Sequence, residues 1–253
     1  MENLTESLGH STGEAKQLIG DAKNIYLIPS QEPEALALTM ALFYTLKELG
    51  KNVNLIIESL PENLKFLSPS LDYISYPKNF VISIPNKVAL VSQIFYEKND
   101  EALKIHLTLE NGNIKKENIA FYYSETKPDL VITIGVADYQ TQLKNMDSFG
   151  FLLDSPILNI DTLTRLSAGT TENKKFGKIN LIETSSLTEI VYNLIKTEGA
   201  VKKELAVCLL SGVVIYTENF KKNLTANIFE MAGILMKSGA SLEEIVKNIY
   251  SKP

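Results

Sequence analysis

Residues 24–57 read NIYLIPSQEPEALALTMALFYTLKELGKNVNLII, and the fold turns on this stretch. NIYLI is an apolar run of strand length. From about Pro33 to Leu49 the composition shifts to Ala, Leu and Met, which suits a helix, and Gly50 supplies a stop. NVNLII is a second apolar run. Strand, helix and strand in succession make a βαβ unit, which sets the two strands parallel with a right-handed crossover. The expected fold class is α/β, with a mostly parallel sheet flanked by helices.

The same pattern extends in both directions. Upstream, STGEAKQLIGDAK reads as a helix, with Ser11 and Glu14 as a capping box and Ala15, Leu18, Ile19 and Ala22 at helical spacing. Downstream, DLVITIG is a buried strand ending at Gly135, YQTQLKNM a short helix, PILNID a strand and GKINLIE an extended piece. Ser186 and Glu189 form a capping box for a helix whose apolar stripe is Leu187, Ile190, Val191, Leu194 and Ile195. The C-terminal part is expected to be helical, through KKELAVCLLSGVVIYTENF, TANIFEMAGILMKSG with a stop at Gly239, and SLEEIVKNIY capped by Ser241 with Glu244.

From about Tyr76 to Tyr123 the pattern changes. FVISIP, VALVSQIFYEK, LKIHLTLENGN and NIAFYY are short β-type segments, and EKNDEA and ENGN between them read as hairpin turns. Leu103, Ile105, Leu107 and Leu109 alternate with polar residues, so the other face, with His106, is expected in solvent. Residues 76–123 therefore read as an antiparallel β-meander inserted into a single α/β domain spanning 1–253.

Composition removes several function classes. The chain has 253 residues, 45% of them hydrophobic, enough for a sizeable core. The net charge of -5 disfavours non-specific binding of duplex nucleic acid. The single cysteine, Cys208 in LAVCLLSGVV, allows no intrachain disulfide and reads as a buried small hydrophobe. With only His10 and His106, a Cys/His zinc site is not expected. MENLTESLGH lacks a signal-peptide pattern, and the longest apolar run falls short of the roughly 20 residues that span a bilayer. A cytoplasmic protein with no membrane partner is expected.

In open α/β sheets, ligands bind at the carboxyl ends of the strands. Four such ends carry polar or acidic residues: IPSQEPEA, IGVAD, NIDTL and the SGVVIYTENF turn. Glu32 and Glu34 flank Pro33 at the first. Such a pair can hold a divalent metal. It can equally serve a helix dipole, where an acid in the first turn contributes about 0.3–1 kcal/mol. Asp138 reads as a helix cap, Asp161 as a turn anchor or a partner of nearby backbone amides, and Glu183 and Ser185 join Ser186 before a helix. Tyr216, with Glu218, fills a core or pocket position or touches a ligand. Lys174, Lys175 and Lys178 read as an exposed basic loop that could face a phosphate.

ALFYTLKELGKNVNLI, DLVITIGVAD, PILNID, FGKINLIETSSLTEIVYNLI and CLLSGVVIYTENF follow one another in an order and spacing that resemble the DHH (DDH) phosphoesterase superfamily. The branch resembled is the one that degrades short oligoribonucleotides and adenosine 3',5'-bisphosphate. The resemblance implies a DHH-like domain over nearly the whole chain. It also implies chemistry in which two divalent metals, usually manganese, activate a water against a phosphorus ester. The family's ligand positions fall on Ile28, Glu32 and Glu34 of the first motif, Gly135 of the second, Thr162 and Leu163 of the Asp-His-His motif that Asp161 begins, and Tyr216 of the last. Only Glu32 and Glu34 are carboxylates, so they are the expected metal ligands if a metal binds at all. The family's C-terminal domain with its Gly-rich, His-containing motif has no counterpart before the end at IVKNIYSKP.

The expectation is a phosphoesterase-like protein with a degenerate site at Glu32, Glu34, Asp138, Asp161 and Tyr216. It has little or no hydrolase activity, no required cofactor, and a role as a nucleotide- or partner-binding module. The alternative is an active phosphoesterase, dependent on manganese or magnesium, with a rebuilt site acting on short oligoribonucleotides or small phosphorylated nucleotides. The partners expected are a nucleotide or phosphorylated small molecule, and a protein docking on the inserted meander.

Overall fold

A computed structural model of the chain describes residues 2–57, 59–69, 78–125, 127–136, 155–163, 175–196 and 201–250. The chain divides into two compact units, one of Met1–Tyr76 with Lys127–Pro253 and the other of Pro77–Thr126.

The first unit opens with helix α1 (Glu2–Asp21), then β1 (Asn24–Pro29), α2 (Pro33–Glu48) and β2 (Asn52–Leu55). A 3-10 turn follows at Glu62–Leu67. After the second unit come β7 (Leu130–Ile134), β8 (Ile157–Thr162) and β9 (Ile179–Glu183). Four helices close the unit: α3 (Leu187–Ile195), α4 (Lys203–Tyr216), α5 (Ala226–Lys237) and α6 (Leu242–Tyr250). The strands form one sheet in the order β2-β1-β7-β8-β9, and every pairing is parallel. The order reverses between β1 and β7, which opens a crevice at their carboxyl ends.

Both faces of this sheet are buried. Ile25, Leu27, Ile132, Leu158 and Ile160 point into the main core with α2, α3 and α4. Tyr26, Ile28, Val131 and Ile157 alternate onto the opposite face, in a smaller cluster. That face also carries a buried polar ladder. The Thr133 hydroxyl donates to Asn159 Oδ1 at 3.0 Å, and Asn159 Nδ2 donates to Asn180 Oδ1 at 3.4 Å. Helix α2 is buried all round from Ala35 to Tyr44, and its apolar composition follows from that position. Gly212 of α4 lets helices approach: a Cβ there would lie 2.8 Å from Thr188 Oγ1 and 3.0 Å from Leu38 Cδ2. Cys208 is buried in α4, as expected.

Helix ends follow their capping chemistry. Ser186 Oγ accepts from Glu189 N while Glu189 Oε2 accepts from Ser186 N, the reciprocal capping box read in the sequence. Gly50 and Gly239 hold φ of 72° and 96° at their helix stops, and Ser241 Oγ accepts from Glu244 N. Ser11 and Glu14 do not mark a helix start, because α1 begins at Glu2 and runs through them. The reason is in the spacing: Leu4 and Leu8 extend the apolar series of Ala15, Leu18 and Ile19 upstream. Helix α4 ends at Tyr216, earlier than the expected Phe220. Glu218, Asn219 and Phe220 instead take positive φ of 47°, 59° and 58°. Thr217 holds this left-handed turn, its hydroxyl accepting from Phe220 N at 3.0 Å. The short helix expected at YQTQLKNM lies outside the described residues.

The second unit is antiparallel, but it is not a meander. Its strands are β3 (Lys78–Ser83), β4 (Ala89–Lys98), β5 (Leu103–Gly112) and β6 (Ala120–Glu125). Strand β3 pairs with β6 and β4 with β5, so one hairpin nests inside the other. EKNDEA does turn between β4 and β5, with Asn99 Oδ1 accepting from Glu101 N and Ala102 N. ENGN does not turn. Gly112 pairs with Ala89 at the end of β5, where φ is 89° and a Cβ would lie 2.2 Å from the Val88 carbonyl oxygen. The glycine serves a close backbone approach there. Of the apolar face, Leu103 and Ile105 are exposed, against expectation. His106 is only partly in solvent, stacked on Phe95 with ring centroids 4.5 Å apart.

Candidate functional site

The crevice between β1 and β7 is bounded by Ser30, whose N–H donates to Ile134 O at 2.9 Å, and by Gly135 at φ 65°. Ser30 Oγ is buried and has no hydrogen-bond partner among the described residues. Ile28, one of the ligand positions implied by the resemblance, is buried in the smaller cluster.

Glu32 and Glu34 part at the start of α2. Glu32 is the N-cap residue, exposed, with no side-chain capping bond. Positions two apart on a helix start do not share a face, and Glu34 turns inward. Its Oε1 accepts from Thr188 N at 3.1 Å and from Thr188 Oγ1 at 2.9 Å. Thr188 occupies the second position of α3, whose first-turn N–H groups lack intrahelical partners. Glu34 therefore caps a neighbouring helix. Ser186 satisfies the following N–H, so two side chains divide the open donors of α3 between them.

Burial pushes Glu34 up from an ordinary 4.5 to about 7; the two bonds from Thr188 pull it down, and the nearby Glu189 charge adds to the rise. Tyr216, at the last position of α4, is also raised, first by burial and then by the charges of Glu189 and Glu34. Glu34, Glu189, Thr188 and Tyr216 thus meet where α2, α3 and α4 converge. Glu189 also lines a cavity of about 290 Å³ between α3 and α5, with Tyr192, Asn193, Asn227, Glu230 and Met231.

Asp161 lies elsewhere. It alternates onto the face of the Asn159 ladder, is 1% exposed, and accepts from Thr162 N at 2.8 Å. That bond is the backbone anchoring expected of it. Asp138 and Lys174 lie outside the described residues; Lys175 and Lys178 are exposed. Thr162 is buried and Leu163 is 44% exposed.

Among the described residues no group of three or more His, Cys, Asp or Glu side chains could hold a metal ion. The donors among the described residues fit a two-metal centre poorly. Manganese and magnesium favour about six oxygen or nitrogen donors. Here Glu34 Oε1 is engaged by two protein donors, its proton leaves only near pH 7, and Glu32 faces solvent. Sequence reasoning selected Glu34 and Tyr216 and missed Thr188 and Glu189 as their companions. The SSLTE capping signal marked α3 as a helix start. Nothing in one sequence shows which helix starts beside it.

No protein-family profile matches the chain, and no curated protein matches it. Among solved structures it is similar to an exopolyphosphatase-related protein from Bacteroides fragilis, with a TM-score of 0.64 at 16% sequence identity. The alignment covers 97% of this chain and 61% of that one, so the chain spans about 61% of its neighbour's length. At this identity the likeness establishes the fold alone: a mixed α/β fold on a parallel five-stranded sheet flanked by helices.

Proposed function

We propose that the chain is a DHH-type phosphoesterase-like protein whose cleft has lost most or all hydrolysis and is kept to bind a nucleotide, another phosphorylated small molecule or a partner. The observation that carries the reading is the engagement of Glu34 by Thr188. A carboxylate at a family ligand position caps a helix, and near neutral pH it is about half protonated. A proton and two hydrogen bonds compete with any metal for that oxygen. The unpartnered Ser30 hydroxyl at the β1 strand end supports retained binding, because a buried polar group is stabilised by acquiring a partner. The name of the structural neighbour makes polyphosphate a substrate class worth including in the test.

Calorimetry with manganese and magnesium is expected to register no binding at millimolar metal. Short oligoribonucleotides, adenosine 3',5'-bisphosphate and polyphosphate are expected to survive incubation with the protein and manganese. A nucleotide that binds the folded state raises its melting temperature. Manganese-dependent hydrolysis that disappears in Glu34→Gln would replace this reading with an active, rebuilt phosphoesterase.

A further inference from the structure

The β4–β5 ribbon is amphipathic in a way its own chain leaves unresolved. The register pairs Ile94 with Leu107, Tyr96 with Ile105 and Lys98 with Leu103, so these side chains share a face with Leu109. Gln93, Phe95, Glu97, Lys104, His106 and Thr108 take the other face. On the apolar face Ile94, Tyr96, Leu103 and Ile105 are 71%, 73%, 60% and 48% exposed. Among the described residues β4 and β5 pair only with each other. A two-stranded ribbon is marginal in water until its apolar face is covered.

We propose that this face is a homodimer interface, in which the ribbons of two copies stack face to face about a two-fold axis. Area and charge favour a second copy. With Leu107 and Leu109, the four exposed side chains present on the order of 600 Å², near the roughly 800 Å² that each partner gives to a standard stable interface. A two-fold interface must be self-complementary, and an almost wholly apolar surface meets that condition with itself. Its one charged group, Lys98, sits at the tip opposite Leu103. An antiparallel two-fold arrangement leaves the two Lys98 ammonium groups at opposite ends, in water. The tip sets Glu97, Asp100 and Glu101 against Lys98 and Lys104, with Lys104 3.9 Å from Glu97, so it offers no net positive patch to an anionic membrane or a nucleic acid. The inference is independent of the cleft and of any ligand there.

Sedimentation velocity on the full chain across micromolar concentrations tests it, with the double variant Tyr96→Glu, Ile105→Lys as the probe. Tyr96 and Ile105 are directly paired, so the new charges are opposite and the cross-strand contact is kept. The expected result is a dimer whose dissociation constant rises at least about a hundredfold in the double variant, with unchanged far-ultraviolet circular dichroism. Gln93→Ala on the opposite face is expected to leave the dimer intact. A wild-type monomer throughout the range would overturn the proposal, as would a dimer that survives the double variant. Flotation of the wild-type chain with anionic vesicles, lost in the double variant, would assign the face to a membrane instead.

Discussion

Ile132 and Ile94 are isoleucines on neighbouring kinds of structure, yet one is 0% exposed and the other 71%. Ile132 lies in a parallel sheet whose strands read as unbroken apolar runs because both faces are covered. Ile94 lies in a two-stranded ribbon whose sequence alternates. Alternation says which residues share a face; it does not say what lies against that face. The sheet body supplies its own cover through α2, α3 and α4, whereas the ribbon advertises a need that its own strands do not meet.

Substitution separates the two regions most sharply. Ile132→Ala is expected to lower the unfolding free energy by about 4 kcal/mol, as for other fully buried large-to-small changes. Ile94→Ala, measured where the chain is monomeric, is expected to cost under about 0.5 kcal/mol. Urea titrations of the two variants check this, and equal losses would erase the contrast.

The sheet body also contains one site that is not fully at ease. The folded-state pKa of Glu34, about 7, lies above its ordinary 4.5. A raised carboxyl contributes stability that is fully present below pH 4.5 and is lost as pH rises through 7. Between pH 5 and pH 8 the unfolding free energy is expected to fall by about 2 kcal/mol on account of this group. Glu34→Gln is expected to flatten that part of the profile. An unchanged slope would remove Glu34 as its source.

A smaller effect is expected at Gly212. Gly212→Ala places a methyl against Thr188 Oγ1 and Leu38 Cδ2, with a cost of about 1 kcal/mol. Displacing the Thr188 hydroxyl also weakens a bond that holds Glu34 down, so the midpoint of the pH profile should move upward. A stability loss with no movement of the midpoint would mean that the α2–α3 contact adapts around the methyl.

What was legible in the sequence was whatever local chemistry determines. The run from Asn24 to Ile57 declared its strand, helix and strand, and Ser186 with Glu189 declared a helix start that forms as read. The strand-end position of Asp161 and the helix-start position of Glu34 were legible for the same reason, whereas Tyr216, expected at a strand end, closes a helix instead. What failed was non-local. Asn111-Gly112 has the signature of a turn, but its glycine answers to the Val88 backbone in the turn just before β4. The nesting of β4–β5 inside β3–β6 depends on pairing partners that alternation does not name. The bond from Thr188 to Glu34 joins residues far apart in sequence, and no spacing rule connects them. Tyr216 could be read as pocket filler, but the left-handed run after Thr217 could not, since Glu218 and Phe220 are residues that rarely adopt it.

Cys208 adds a practical consequence. Burial, then the charge of Glu204, raises its thiol far beyond the range in which a thiolate forms in neutral water. The only sulfhydryl in the chain is therefore silent toward alkylating reagents while α4 is seated. Its labelling in denaturant becomes a clock for the opening of the sheet body, and the ribbon, which contains no cysteine, leaves that clock untouched.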